Sequence, residues 1–161
     1  MDQFHLKKRH RMRSKDIRKF TTRLYDRLGV KLETDALDSG EANHAFYYIT
    51  GGDIIAMEID GEPFLTLKGL LKYKPERSFV VVDEGAVAFL YNGADVRAPG
   101  VLDSDREIKV GDLVWVKEVK HGRPLVVGEA LMSGEEMVTS EKGKAIKTIH
   151  FLNDPIWNLT V

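Results

Sequence analysis

The chain has 161 residues, enough for one domain or two small ones, since domains run from roughly 50 to 200 residues. Its apolar fraction of 43% and charged fraction of 30% are those of an ordinary globular protein. No apolar run approaches the ~18 residues of a membrane span, and no secretory signal is visible, so a cytoplasmic protein with no membrane partner is expected. The absence of cysteine excludes disulfides, a thiolate nucleophile and Cys-ligated zinc.

The net charge of −1 conceals an asymmetry. Residues 1–31 hold 11 Lys/Arg and 3 Asp/Glu, a charge of +8, and the remainder carries −9. A basic block of that density attracts phosphate and makes binding salt-dependent; a solvated basic tail balancing an acidic body is the plainer reading.

In chain order, Phe4–Arg13 alternates as an edge strand, with Arg9, Arg11 and Arg13 on one side and His10 and Met12 on the other. A flexible basic arm is the alternative. Ser14 stands where an N-cap would, and Ile17, Phe20, Leu24 and Leu28 follow at helical spacing before Gly29. On another face of that helix Lys19, Arg23 and Arg27, four apart, form a positive row, which is unfavourable unless a partner offsets it. Ala45–Thr50 and Ile54–Ile59, joined through Gly51-Gly52-Asp53, read as a hairpin, and Leu65, Leu67, Leu70 and Leu71 as a short helix ending near Tyr73. Pro75, in a polar segment, marks a boundary between domains 1–74 and 75–161.

Beyond it the pattern becomes short strands punctuated by glycine: Phe79–Val82, Ile108–Val110, Leu113–Val119, Leu125–Ala130 and Ala145–His150, with a helix at about Glu84–Leu90. Such spacing indicates a small barrel or sandwich, and the whole chain is α+β.

Val82-Asp83-Glu84-Gly85-Ala86, Asn92-Gly93-Ala94-Asp95-Val96 and Ala98-Pro99-Gly100-Val101 resemble the opening of a PUA domain. Gly111-Asp112-Leu113-Val114 and Val127-Gly128-Glu129-Ala130 resemble its later strands. The ending, from Lys142-Gly143-Lys144-Ala145 through Ile149-His150-Phe151-Leu152-Asn153-Asp154 to Trp157, resembles archaeal translation-associated PUA proteins and the malignant-T-cell-amplified-sequence family. Pro63-Phe64-Leu65-Thr66-Leu67 and Leu70-Leu71-Lys72-Tyr73 resemble the end of that family's pre-PUA domain, with ligatin's N-terminal part similar. The resemblance implies an α+β pre-PUA domain followed by a mostly-β pseudo-barrel. It also implies binding of structured RNA, tRNA or rRNA, with the small ribosomal subunit and a translation-factor protein as partners.

By that resemblance the RNA groove maps to Gly85, Ala86, Arg97, Pro99 and Gly100, with Lys142, Lys144 and Lys147 beside the last strand as phosphate contacts. Close packing of helix on barrel is the structural alternative for the small residues, and protection of an edge for the lysines. Lys7, Lys8, Arg9, Arg11, Arg13, Lys19, Arg23 and Arg27 make a secondary basic surface. His150 and Asp154 are four apart, but no third metal ligand is apparent, and Trp115 and Trp157 read as core. The scattered histidines and Gly51-Gly52-Asp53 carry no nucleophile pair or phosphate-loop signature. A noncatalytic RNA-binding protein without cofactor or metal is therefore expected, in initiation or recycling; the alternative is an adaptor whose N-terminal domain binds a translation factor.

Overall fold

In the computed structural model, which describes residues 5–159 and 161, the chain forms two units. One comprises residues up to Glu76 together with Pro155–Val161, the other Arg77–Asp154.

The first unit is a five-stranded sheet, β1 (Lys7–Arg11), β2 (Asp38–Ala42), β3 (Ala45–Thr50), β4 (Asp53–Ile59) and β5 (Glu62–Leu65), antiparallel and in sequence order. Helix α1 (Ser14–Leu28) buries Ile17, Phe20, Leu24 and Leu28, the stripe expected from their spacing, and Phe20 stacks on Tyr48 of β3 with ring centroids 3.9 Å apart. Gly29 ends the helix in the left-handed region at φ 70°, its N–H donating to Tyr25 O. Ser14 is not the cap: the extended Arg13 holds that position without a side-chain hydrogen bond, its carbonyl receiving Asp16 and Ile17 N–H. Phe4, the start of the expected first strand, lies outside the described residues.

Strand β2 was not legible, because Asp-Ser-Gly-Glu-Ala has no β-branched or aromatic residue. Tertiary contacts impose it. Gly40 sits so close to Leu6 that a Cβ would lie 2.8 Å from its Cγ, and Asp38 receives both Arg9 (3.0 Å) and Arg11 (2.6 Å). Leu65, expected in the short helix, belongs instead to β5, an edge strand where Pro63 is tolerated. Helix α2 (Leu67–Tyr73) starts two residues later, capped by Thr66.

The second unit is a six-stranded sheet ordered β7 (Val96–Arg97), β11 (Lys144–Phe151), β10 (Pro124–Ala130), β9 (Leu113–Glu118), β6 (Phe79–Val82), β8 (Val101–Ser104). Its pairs are antiparallel except β6 with β9. Val80, Val82, Val114, Val116, Leu125, Val126, Ala145 and Ile146 form the core. Helix α3 spans Glu84–Leu90 as expected, and a further helix not expected from the pattern of short strands, α4 (Gly134–Thr139), begins at a capping box formed by Ser133 and Glu136.

Ile108–Val110 is not a strand. Its backbone is taken up by turns: Ile108 N–H donates to Asp105 O, Lys109 N–H to Asp112 Oδ2 (2.8 Å) and Asp112 N–H to Lys109 O, while Ile108 plugs the core. Trp115 is buried and donates Nε1–H to Arg77 O at 2.8 Å. Trp157 is half-buried, with Lys68 Nζ 5.3 Å from its ring centroid, a cation–π contact.

Candidate nucleic-acid interface

The structure brings the expected groove residues together through the α3–β7–β11 connections. Asp83 N–H donates to Gly100 O at 2.9 Å, tying the start of α3 to the 3-10 turn Ala98–Gly100. A Cβ at Gly100 would lie 3.4 Å from the Cβ of Ala86, so these two small residues set how closely helix and turn approach. Gly85 faces outward: the nearest atom to a Cβ there would be Asp83 Oδ2, 3.8 Å away. Arg97 and Pro99 are exposed and Gly100 half-exposed.

Arg97 lies opposite Lys144 in the β7–β11 register, and Ala98 N–H donates to Gly143 O at 2.9 Å. The Lys142-Gly143-Lys144 turn is thereby joined to Arg97, with Gly143 at φ 98°. Lys142, Lys144 and Lys147 are all exposed, but Lys144 pairs with Asp95 at 3.1 Å. Arg97, Lys142 and Lys147 have no ion-pair partner among the described residues. Lys147 stands opposite Glu129 in the β10–β11 register, further along β11 than the Arg97–Lys144 pair.

The start of α3 is less favourable to phosphate than expected. Asp83 Oδ1 accepts Glu84 N–H at 2.8 Å, and Ala86 N–H donates to Asp83 O, so a seven-residue helix presents a capped, acidic first turn. The positive charge of this corner lies on Arg97 and on Lys142, Lys144 and Lys147 in and beside β11, and Gly85 is exposed at the start of α3.

Asp95 fixes this corner. Its carboxyl is held below the ordinary range chiefly by the Thr148 N–H (2.9 Å), and secondarily by Lys144, with burial opposing. Its folded pKa is depressed, so the stability it contributes is present above the ordinary carboxylate pKa of about 3.9 and lost as pH falls through the lower folded value. Asp95→Ala is expected to lower stability by about 1–2 kcal/mol at pH 7, with the difference narrowing in thermal melts as pH falls below the ordinary carboxylate pKa of about 3.9.

In the first unit the secondary basic residues divide. Lys8 pairs with Glu41 (3.4 Å), Arg9 and Arg11 with Asp38, whose carboxyl they lower, Arg11 most. The row Lys19–Arg23–Arg27 is not uniformly outward. Arg23 donates to Gly61 O and lies 3.5 Å from Glu58 Oε1, and Arg27 pairs with Glu62, so the β4–β5 turn offsets two of its three charges. Lys7, Arg13 and Lys19 are exposed, with no ion-pair partner among the described residues.

His150 Nδ1 and Asp154 Oδ2 are 2.8 Å apart, both buried, and the same oxygen accepts Phe151 N–H at 2.9 Å. This clasp ties off the turn after β11; among the described residues no group of three or more metal-ligating side chains forms. None of the helices among the described residues is long and apolar enough to cross a membrane.

Comparison with known proteins accords with this geometry. Residues 78–152 match the PUA domain and residues 8–73 match a domain of unknown function, DUF1947. The Methanocaldococcus jannaschii protein MJ1432, itself uncharacterized, is 52% identical over 104 residues, covering 65% of this chain and 64% of that protein. Translation machinery-associated protein 20 of Saccharomyces cerevisiae (29%) and malignant T-cell-amplified sequence 2 of Homo sapiens (30%) match over 120 residues, 71% and 72% of this chain and 66% of each relative. The matched stretch thus spans slightly less than two thirds of these relatives. The crystal structure of hypothetical protein PH0734.1 from Pyrococcus horikoshii superposes with a TM-score of 0.83 at 34% identity, over 95% of this chain and 99% of that one. A conserved PUA domain protein from Thermoplasma acidophilum superposes at 0.81 and 30%, over 91% and 95%. With an RNA-binding fold in its second half, a DUF1947 region ahead of it and these relatives, the chain belongs to the family of PUA-domain proteins with a pre-PUA N-terminal region.

Proposed function

We propose that the protein is a noncatalytic RNA-binding module that acts on structured RNA, tRNA or the small ribosomal subunit, in translation initiation or ribosome recycling. The observation that carries this reading is the junction of α3, the 3-10 turn and β11, where Gly85, Ala86 and Gly100 leave room beside Arg97, Lys142 and Lys144. The names of the yeast and other relatives connect the family with the translation machinery and support the cellular context. The same reading takes residues 1–74 as the pre-PUA domain and 75–161 as the PUA domain, supported by the separate matches to 8–73 and 78–152, except that Pro155–Val161 packs with the first unit.

Arg97 is the guanidinium at the junction, able to make paired hydrogen bonds to phosphate or a base edge that an ammonium cannot reproduce. Arg97→Lys is expected to weaken binding to a folded tRNA roughly fivefold, the loss of about 1 kcal/mol, with an unchanged thermal midpoint because the side chain is exposed. Equal affinity of parent and variant, measured by fluorescence anisotropy, would remove Arg97 from the interface.

A second reading has the first unit binding a translation-factor protein. It draws on Tyr25 (50% exposed) and Phe46 (45% exposed), aromatic surface of the kind enriched at protein interfaces. RNA affinity nearly independent of salt would favour it, since phosphate contacts release counterions.

A further inference from the structure

The pairing of Arg23 and Arg27 with the β4–β5 turn leaves a different set of cations on the outer face of α1. Lys15 stands three and four residues before Arg18 and Lys19, and Thr22 four and three residues after them, so all four share the side turned away from Ile17, Phe20, Leu24 and Leu28, and all four are exposed. Arg13 precedes them at the N-cap and Lys7 lies on β1, the edge strand whose five residues are all exposed. Between Arg13 and Thr22 there is one acid, Asp16.

Stability does not account for this arrangement. Lys15 sits in the first turn of a 15-residue helix, where the backbone dipole disfavours positive charge, and Lys15 and Lys19 repel one another at i,i+4. Arg13 makes no side-chain cap. None of Arg13, Lys15, Arg18 and Lys19 has an ion-pair partner among the described residues, whereas Lys8, Arg9, Arg11, Arg23 and Arg27 do. Cations left unneutralised along one helix face, beside neighbours that are neutralised, constitute a surface for an external polyanion. Cβ atoms about 5–6 Å apart along this face present charge as a track rather than as a pocket, which suits a phosphate backbone and carries no base readout.

We infer that the Lys15–Arg18–Lys19 face of α1, flanked by Arg13, is a second RNA-binding surface that contacts the sugar-phosphate backbone, separate from the PUA groove. The choice of RNA as polyanion rests on the function proposed above. The occupant is the backbone of paired RNA, recognised by charge alone.

The test uses the full chain and a fully paired RNA hairpin, with affinity measured across salt concentrations. Lys15→Gln/Arg18→Gln/Lys19→Gln is expected to flatten the slope of log affinity against log salt by about 2 to 3 units, at roughly 0.9 for each duplex phosphate no longer neutralised. The thermal midpoint should stay level or rise, because exposed cations without partners are removed, with them the Lys15–Lys19 repulsion and the one first-turn charge opposed to the helix dipole. Arg23→Gln/Arg27→Gln, which breaks the tie to the β4–β5 turn, should instead lower the midpoint and keep the slope. An unchanged slope in the triple variant overturns the inference and leaves the groove reading intact, the face then serving solvent or an acidic protein. A flattened slope in the triple variant beside unaffected Arg97→Lys sustains the inference while removing Arg97 from the interface. No binding of the hairpin by the parent overturns the second surface outright, and folded tRNA bound by the same parent would keep the groove.

Discussion

Replacing Gly85 with Glu is expected to reduce RNA affinity on the order of a hundredfold while leaving the protein folded. The fold has room for the side chain, because Gly85 is exposed at the first turn of α3 and the nearest atom to a new Cβ is Asp83 Oδ2 at 3.8 Å. Glycine is the poorer helix former by about 1 kcal/mol, so the substitution should not cost helix stability. For a phosphate in the junction the change is severe. A carboxylate would join Asp83 and Glu84 at the start of α3, and like charges forced together at an interface cost several kcal/mol, each 1.4 of which is tenfold in affinity. Ala86→Glu should bind as poorly, but Ala86 packs against Gly100 and the barrel core, so its effect mixes blocked access with disturbed packing. Gly85→Gln separates charge from bulk and should retain more affinity than Gly85→Glu. A folded Gly85→Glu variant, verified by circular dichroism, that binds tRNA like the parent would place the RNA elsewhere.

The sequence carried the periodic elements well, for physical reasons visible in α1 and β9–β11. Four apolar residues at helical spacing can bury together only as a helix, and Leu113-Val114-Trp115-Val116 has the composition of a doubly buried strand. Elements defined by their neighbours were missed. The β2 segment pairs because Arg9 and Arg11 of β1, and Leu6 just ahead of it, meet Asp38 and Gly40, and nothing local to Asp38–Ala42 announces that. Helix α4 had a readable signal in the Ser133–Glu136 spacing, obscured by its brevity.

The candidate site divides in the same way. Small residues at 85, 86 and 100 and the arginine at 97 could be placed through resemblance, but their joining depends on Asp83 N–H reaching Gly100 O and on the β7–β11 register. Electrostatics were least legible, since which cations remain unpaired is decided by partners distant in sequence. Arg27 finds Glu62, and Lys144 finds Asp95, across 35 and 49 residues. Lys15 and Arg18, absent from the basic surface expected from sequence, emerge only once those pairs are known.

Gly69→Ala is expected to destabilise the first unit by about 3 kcal/mol, although it replaces the weakest ordinary helix former with the strongest. Gly69 lies within α2, and a Cβ there would stand 2.0 Å from the carbonyl oxygen of Ile55 on β4. That oxygen cannot retreat freely, because it already accepts Thr66 N–H at 3.1 Å, while Thr66 Oγ1 donates to Ile54 O at 2.7 Å and accepts Gly69 N–H at 3.2 Å. Helix, cap and strand are one hydrogen-bonded joint, with Thr66 2% exposed and Phe64, Leu65, Leu67 and Leu70 buried around it. A methyl group forces α2 off β4, so those leucines are parted from the sheet and buried polar groups are left without partners, each at about 1–3 kcal/mol. Helix propensity returns at most about 1 kcal/mol, so the sign of the change decides between the two effects. Urea unfolding with a midpoint equal to or above that of the parent would mean that the close approach does not exist; Gly61→Ala, with open space but φ 79°, serves as a comparison in which only backbone strain operates.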